Sequence, residues 1–315
     1  MGHLTVLTAG NGGIRFIAGL VEVRPEEEIH IIANVGNDCE LWGLYCCPDI
    51  DVVLHTLAGQ EDPYRVETGR GTSFECFETI RKLGMPSWFR IPDRDLATHL
   101  VRTEMLRSGA CLEEATRQLA DRFGLGVELI PASNDPVRTK VHTPDGALHG
   151  LQYASQRESP PPVTGASYEG ADAARAPERA VRSILEADRV ILAPGHPVLG
   201  IGAILAIPDI RNALARTRAG VVAISPLVGS KPVGEDGAGL LNDAGTPSAA
   251  AGLAGHLRGI IDSLVIHTSD LPALDAVRAT GVDAWADNVL LNNREVARKL
   301  AGRVANSEKA VARKR

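Results

Sequence analysis

The chain has 315 residues, 44% of them hydrophobic, which is enough apolar material for one large domain. A net charge of −6 and a pI near 5.9 exclude a nucleic-acid binder built on a broad basic face. Five irregularly spaced cysteines exclude a disulfide framework, and no uncharged apolar run is long enough to span a bilayer. No signal-peptide pattern precedes the first strand-like run, so a cytoplasmic protein with reduced thiols is expected.

In chain order, Leu4 to Thr8 is a short apolar run. The glycine turn Ala9-Gly10-Asn11-Gly12-Gly13 follows, then an amphipathic segment carrying Ile14, Phe16, Ile17, Leu20 and Val21. A second apolar run, Ile29 to Ala33, completes a strand–helix–strand unit, with the glycine turn at the carboxyl end of a parallel sheet. Residues 34 to 73 read as polar loop with one helical piece, Ile50 to Ala58. Phe74 to Leu83, Asp95 to Ser108 and Cys111 to Phe123 have helical spacing, and Gly124 fits a C-cap. Val127 to Ile130 and Thr139 to His142 read as strands, and Pro144-Asp145-Gly146 as a hairpin turn into a strand over Leu148 to Ala154. Ser159 to Pro162 is a stiff connector. Arg189 to Ala193, Gly220 to Ile224 and Leu264 to Ile266 are again sheet-core runs. The pattern predicts a single α/β domain, a Rossmann-like, doubly wound and mostly parallel sheet. Its core covers 1–60 and 165–305, with an inserted helical and hairpin lobe over about 60–165 and a basic tail over 305–315.

Two segments carry chemistry. In the glycine turn, Gly10, Gly12 and Gly13 let a phosphate approach the backbone, the next helix offers free N–H groups, and Arg15 could add a charge-assisted bond. The turn lacks the lysine of a P-loop and the third glycine of a dinucleotide fingerprint. The acidic loop Asn34-Val35-Gly36-Asn37-Asp38, with Cys47-Pro48-Asp49-Ile50-Asp51 after it, brings three carboxylates near that turn. Asp38, Asp49 and Asp51 would repel one another unless a cation sat among them, and Mg²⁺ bridging a diphosphate satisfies both segments. Asp49 is also an N-cap candidate. Farther on, Ser133-Asn134-Asp135-Pro136 is a turn, and Arg138 after it is a candidate clamp for carboxylate or phosphate.

In their order and spacing these segments resemble the 2-phospho-L-lactate transferase family of deazaflavin coenzyme F-420 biosynthesis. The resemblance runs from Leu4 to about residue 300. It is carried by the glycine turn and acidic loop, Trp42-Gly43-Leu44, Thr56-Leu57-Ala58-Gly59, Asp93-Arg94-Asp95 with Ala97-Thr98-His99, Asn134-Asp135-Pro136-Val137-Arg138-Thr139, Ile201-Gly202, and Ser225-Pro226-Leu227-Val228-Gly229. It implies a Mg²⁺-dependent transferase and a homodimer. A phospho-acid, 2-phospho-L-lactate or a phosphoenolpyruvate-type group, would pass from a guanosine diphosphate-linked donor to the ribityl hydroxyl of the deazaflavin Fo, releasing GMP. Asp51 and Arg90 match the family's Fo contacts. On this reading Asp51, Asp38 and Arg138 are the catalytic candidates and Asp38, Asp49 and Asp51 the metal ligands. Asp51, Arg90, Gly10, Asn11, Gly12, Gly13, Arg15, Asn34, Asn134, Asp135, Gly195 and His196 bind substrate.

The sequence departs from the family pattern at several positions. Ala9-Gly10-Asn11-Gly12 stands for the usual Gly-Gly-Thr-Gly, Asn37 for an acid, Trp42 for a frequent His and His55 for a Tyr. Pro194-Gly195-His196-Pro197-Val198-Leu199-Gly200 replaces a Ser-Asn-Pro segment suited to phosphate or nucleotide contacts. A divergent transferase with a changed donor is therefore one alternative. A non-catalytic nucleotide-sugar-binding regulator of the related gluconeogenesis-factor family is another, and a plain Rossmann dehydrogenase a third.

Overall fold

The computed structural model describes residues 2–25, 28–64, 72–156, 160–229, 231–232 and 249–307. The basic tail lies almost wholly outside them, as do residues 65–71 of the expected loop and Ser159 of the connector. The first unit forms as the pattern predicts: β1 (His3–Thr8), α1 (Gly10–Val23) and β2 (Glu28–Ala33), with the strands parallel and paired from His3 with Glu28 to Thr8 with Ala33. On the far side of β1 lie, in spatial order, β9 (Arg189–Leu192), β10 (Gly220–Ile224), β13 (Ser263–His267) and β14 (Asp283–Asp287). β5 (Glu128–Pro131) pairs with β2, closing a seven-stranded sheet in which every pairing is parallel. Helices cover both faces, so Val6, Leu7, Ile31, Ile32, Val190, Ile191, Val221 and Val222 are all fully buried. Burial on both faces is why these strands read as continuous apolar runs rather than alternating ones.

The expected insertion over 60–165 is not continuous. α3 (Glu75–Lys82), α4 (Asp93–Arg107) and α5 (Leu112–Phe123) form a helical lobe, but the chain then returns to the core as β5. It leaves again into the antiparallel sheet of β6 (Arg138–Thr143), β7 (Gly146–His149) and β8 (Gly165–Glu169). The predicted strand Leu148 to Ala154 is cut short. His149 caps a helix, α6 (Gly150–Ser155), by accepting a hydrogen bond from Leu151 N, 3.3 Å. A hairpin, β3 (Cys39–Leu41) with β4 (Leu44–Cys46), precedes α2 (Pro48–Leu57). After β9 the chain enters α8 (Gly202–Ala206) through a π-helical turn, Pro197–Ile201. No single helix among the described residues is long and apolar enough to cross a membrane.

Candidate functional site

The connections at the carboxyl ends of β1, β2 and β9 meet where strand order reverses, the place where α/β sheets open a crevice. The glycine turn there is tighter than its sequence suggests. Ala9 is the extended N-cap, Gly10 adopts φ +65°, and Asn11 to Gly13 already belong to α1. A Cβ on Gly12 would lie 2.2 Å from the Pro194 carbonyl oxygen, and one on Gly13 would lie 2.2 Å from Thr8 Oγ1. These two glycines therefore serve packing between α1 and the ends of β9 and β1. Gly10 N donates to Asp49 Oδ1 at 2.6 Å. The N–H groups of Asn11 and Gly12 have no intrahelical acceptor, and Gly10 and Asn11 are exposed.

Asp49 is not the N-cap of α2; Cys47 holds that position, with Pro48 next. The Asp49 carboxylate turns instead toward α1. Besides Gly10 N it accepts from Asn34 Nδ2, 2.8 Å, and Asn37 Nδ2, 2.9 Å. The same amide groups donate to the Leu199 carbonyl at 3.3 and 3.0 Å, tying the acidic loop to the π-turn. Asn34 Oδ1 accepts from Gly36 N, 2.8 Å. Burial pushes the Asp49 carboxyl up, and the bonds from Gly10, Asn37 and Asn34 offset part of that rise.

Asp51 is committed elsewhere. It faces α4, where the Arg102 guanidinium grips both carboxylate oxygens and His99 Nε2 lies 2.9 Å from Oδ2. His99 Nδ1 in turn meets Cys46 Sγ at 3.4 Å. Asp51, His99 and Arg102 are all buried, and Arg102 is completely so. Burial alone would raise the Asp51 carboxyl; Arg102 and His99 override it and hold it well below the usual carboxylate range. A carboxylate so held is ionised, a weak proton acceptor and without a free oxygen.

Asp38 is the opposite case. It is fully buried, and neither carboxylate oxygen has a hydrogen-bond partner of good geometry. Burial pushes its carboxyl well up, against the pull of Arg138, the Cys47 thiol and Arg102. Arg138 is anchored by Nη2 to Tyr45 Oη, 3.1 Å, and by Nη1 to the Val137 carbonyl, 2.8 Å, with its guanidinium over the Tyr45 ring. His149 Nε2 lies 3.1 Å from the Asp38 carbonyl oxygen, and burial lowers its pKa to about 4, so it is neutral. Asn37 Oδ1, next in the chain, and Thr139 Oγ1, next to Arg138, are also buried without partners.

This arrangement decides which residues suit Mg²⁺. Ligand atoms of Asp38, Asp49 and Asp51 do not all lie within 4.8 Å of one another, so the three carboxylates do not form one cluster. Each acid has its own neighbours, because α2 separates Asp49 and Asp51 onto α1 and α4. Asp38 and Asn37 Oδ1 supply unsatisfied hard oxygens. One carboxylate plus phosphate and water is the set Mg²⁺ prefers.

Other expected contacts go to the scaffold. Arg15 Nε donates to the Pro63 carbonyl, 2.8 Å, rather than toward the glycine turn. Asn134 Oδ1 accepts from Glu113 N, 2.8 Å, in the first turn of α5, and Asp135 Oδ2 accepts from Arg175 N, 2.8 Å. Arg90 is exposed, its guanidinium 3.8 Å above the Phe74 ring. His196 Nδ1 accepts from Val198 N and Leu199 N, both at 3.1 Å, and so caps the π-turn. Gly195 and Pro197 border a cavity of about 350 Å³ at the ends of β9 and β10, with apolar walls and Tyr168, Arg211 and His256 as its polar groups. Sequence reasoning missed Arg102, Tyr45 and His149. The available signal for Arg102 was its spacing of three from His99, on the stripe of α4 that begins with Leu96.

The profile of a family described as 2-phospho-L-lactate transferase CofD matches residues 4–311. A phosphoenolpyruvate transferase of Streptomyces coelicolor is 37% identical over 308 residues, covering 95% of this chain and 96% of that protein. Those of Nocardia farcinica and Mycobacterium bovis are 37% and 34% identical, covering 89% of this chain in each case and 88% and 92% of those proteins. Two crystal structures of a upf0052-family protein from Bacillus halodurans share the fold, with TM-scores of 0.63 and 0.62 at 15% identity, covering 97% of this chain and 99% of that one.

Proposed function

The chain belongs to the 2-phospho-L-lactate transferase CofD family, and on that premise we propose that it transfers a phospho-acid from a guanosine diphosphate-linked donor to Fo in F-420 biosynthesis. The phosphoenolpyruvate transferases among its relatives favour an enolpyruvyl donor. The observation that carries the reading is the buried Asp38 carboxyl, neither oxygen of which accepts a hydrogen bond of good geometry, under the pull of Arg138 and close enough to Asp49, the acceptor of Gly10 N, to feel its charge. A buried acid with no partner is costly unless something charged completes it.

In this reading Asp38 and Asn37 Oδ1 hold Mg²⁺, which supplies charge neutralisation at the diphosphate. The N–H groups of Asn11 and Gly12 receive one phosphate at the helix terminus, and the Arg138 fork receives another. The cavity beside Gly195 takes the nucleoside part of the donor, apolar walls against the base and few polar groups to orient it. The Fo hydroxyl oxygen bonds to the phosphorus carrying the acid, the bridge to GMP breaks, and the hydroxyl proton leaves to solvent. Positioning and charge, rather than a strong base, carry such a step. Asp51 then works as the ionised anchor of His99 and Arg102, which fixes the α2–α4 wall facing Fo, with Arg90 as a further acceptor contact. A homodimer is expected, and sedimentation reads it.

The test is incubation with Fo, Mg²⁺ and each guanylylated acid, with the phosphodiester read by mass. Product with the enolpyruvyl donor is expected. No product with any donor, together with tight nucleotide-sugar binding, would move the chain to the regulator reading.

A further inference from the structure

One turn along α2 from Asp51, a second polar group stands in the seam with α4 and takes no part in the transfer site. His55 is buried, on the face of Asp51 because the two are four residues apart. After α2 the chain folds back through Gly59 at φ +70°, and Gln60 N and Glu61 N both donate to the His55 carbonyl, at 2.8 and 3.3 Å. Arg94 Nη1 pins that loop through the Gln60 carbonyl, 2.8 Å. Asp95 projects from the first turn of α4. One ligand atom from each of His55, Glu61 and Asp95 lies within 4.8 Å of the other two, the one such His/Cys/Asp/Glu group among the described residues.

We propose that His55, Glu61 and Asp95 bind a first-row divalent cation of the zinc or manganese class, at a site separate from the Mg²⁺–diphosphate site. One imidazole and two carboxylates suit these ions, whereas Mg²⁺ prefers oxygen alone. The inner atoms are already spaced as ligands. His55 Nδ1 stands 3.0 Å from Asp95 Oδ1, and neighbouring ligands on bonds of ~2.0–2.1 Å lie about 3.0–3.4 Å apart. That buried Asp95 oxygen has no other hydrogen-bond partner. The outer nitrogen, His55 Nε2, meets Thr98 Oγ1 at 2.9 Å, the supporting bond that orients a ligating histidine. Beside the group opens a polar cavity of about 60 Å³, lined by Glu61, Asp95, Thr72, Ser73, Arg94 and Pro92. Water takes ~30 Å³ of liquid volume, so the cavity admits an ion with an aqua ligand. The bound ion would clamp the end of α2, its return loop and the start of α4 in one piece.

Equilibrium dialysis of the full chain against Zn²⁺ alone, with Mg²⁺ in excess, is expected to retain one equivalent. Co²⁺ in its place is expected to give visible d–d absorption. Thr98→Val should weaken Zn²⁺ binding about tenfold, and His55→Gln and Glu61→Gln each more than that, while Asp38→Asn leaves it unchanged. Glu61 lies on a loop, so its variant keeps the test open if His55→Gln does not fold. No retained ion, or equal retention in the wild type and both the Glu61 and Thr98 variants, overturns the site and leaves an ordinary His55–Asp95 ion pair. The dialysis contains no donor or acceptor, so its failure is independent of the transferase reading.

Discussion

Asp38 and Asp51 are both buried acids, and they have opposite surroundings. In the α2–α4 seam, Asp51 meets a guanidinium and an imidazole and every oxygen is used. In the loop after β2, Asp38 feels Arg138, the Cys47 thiol and Arg102, yet neither of its oxygens accepts a hydrogen bond of good geometry. A buried charge fully compensated by its own chain is architecture. One left uncompensated is a place where the fold leaves charge to be supplied from outside. The two regions therefore respond differently to substitution, pH and Mg²⁺.

The largest expected effect is in the seam. Arg102→Met leaves buried Asp51 with His99 as its one remaining partner and should destabilise the chain by about 3–5 kcal/mol, read as a shift in urea midpoint. Asp51→Asn should act similarly on Arg102, and the double variant should cost less than the sum. If either single change is neutral, the seam is not architecture. The pH profile separates the two acids further. Asp51 has a depressed folded pKa, so its contribution is present above the unfolded value of about 4 and is lost as pH falls through the folded one. Asp38 has a raised folded pKa, so its contribution is present below about 4 and is lost as pH rises through the folded value. Without Mg²⁺, Asp38→Asn should therefore flatten the loss of stability as pH rises above about 4, while Asp51→Asn flattens the loss as pH falls below it.

Next in size, Asp38→Asn should lower turnover on the order of 10²–10³-fold with the urea midpoint held or raised. Loss of fold together with activity would place Asp38 with Asp51 and erase the distinction. Gly12→Ala drives a methyl into the Pro194 carbonyl and should cost about 1–3 kcal/mol in the same assay. A neutral result would return Gly12 to a purely phosphate-facing role. The smallest effect is Arg138→Lys, expected to reduce kcat/KM about tenfold, the worth of one charge-assisted hydrogen bond, with the midpoint unchanged.

The doubly wound core was legible because its strands, buried on both faces, are short apolar runs such as Leu4 to Thr8, and because glycine marks the first turn. β14 was not, since Asp283-Ala284-Trp285-Ala286-Asp287 is a polar-ended edge strand. Leu148 to Ala154 misled because its apolar residues suit strand or helix, and the break depends on one capping bond at His149. At the site, the ingredients were legible and their pairing was not. Sequence placed Asp38, Asp49 and Asp51 close together; only the packing of α2 between α1 and α4 assigns each acid a different partner. Arg102 stayed hidden because a buried arginine in mid-helix reads like a solvated one until its carboxylate is found.

The return of the chain as β5 bears on how separable this protein is. A span that looked like a detachable module contributes the edge strand that covers β2. Excising residues 60–165 would bare the backbone of Ile31 and Ile32 along an apolar edge, an invitation to intermolecular strand pairing. The lobe and the core should thus be expressed, folded and evolved as one piece, with insertions tolerated in the lobe's loops rather than at its ends.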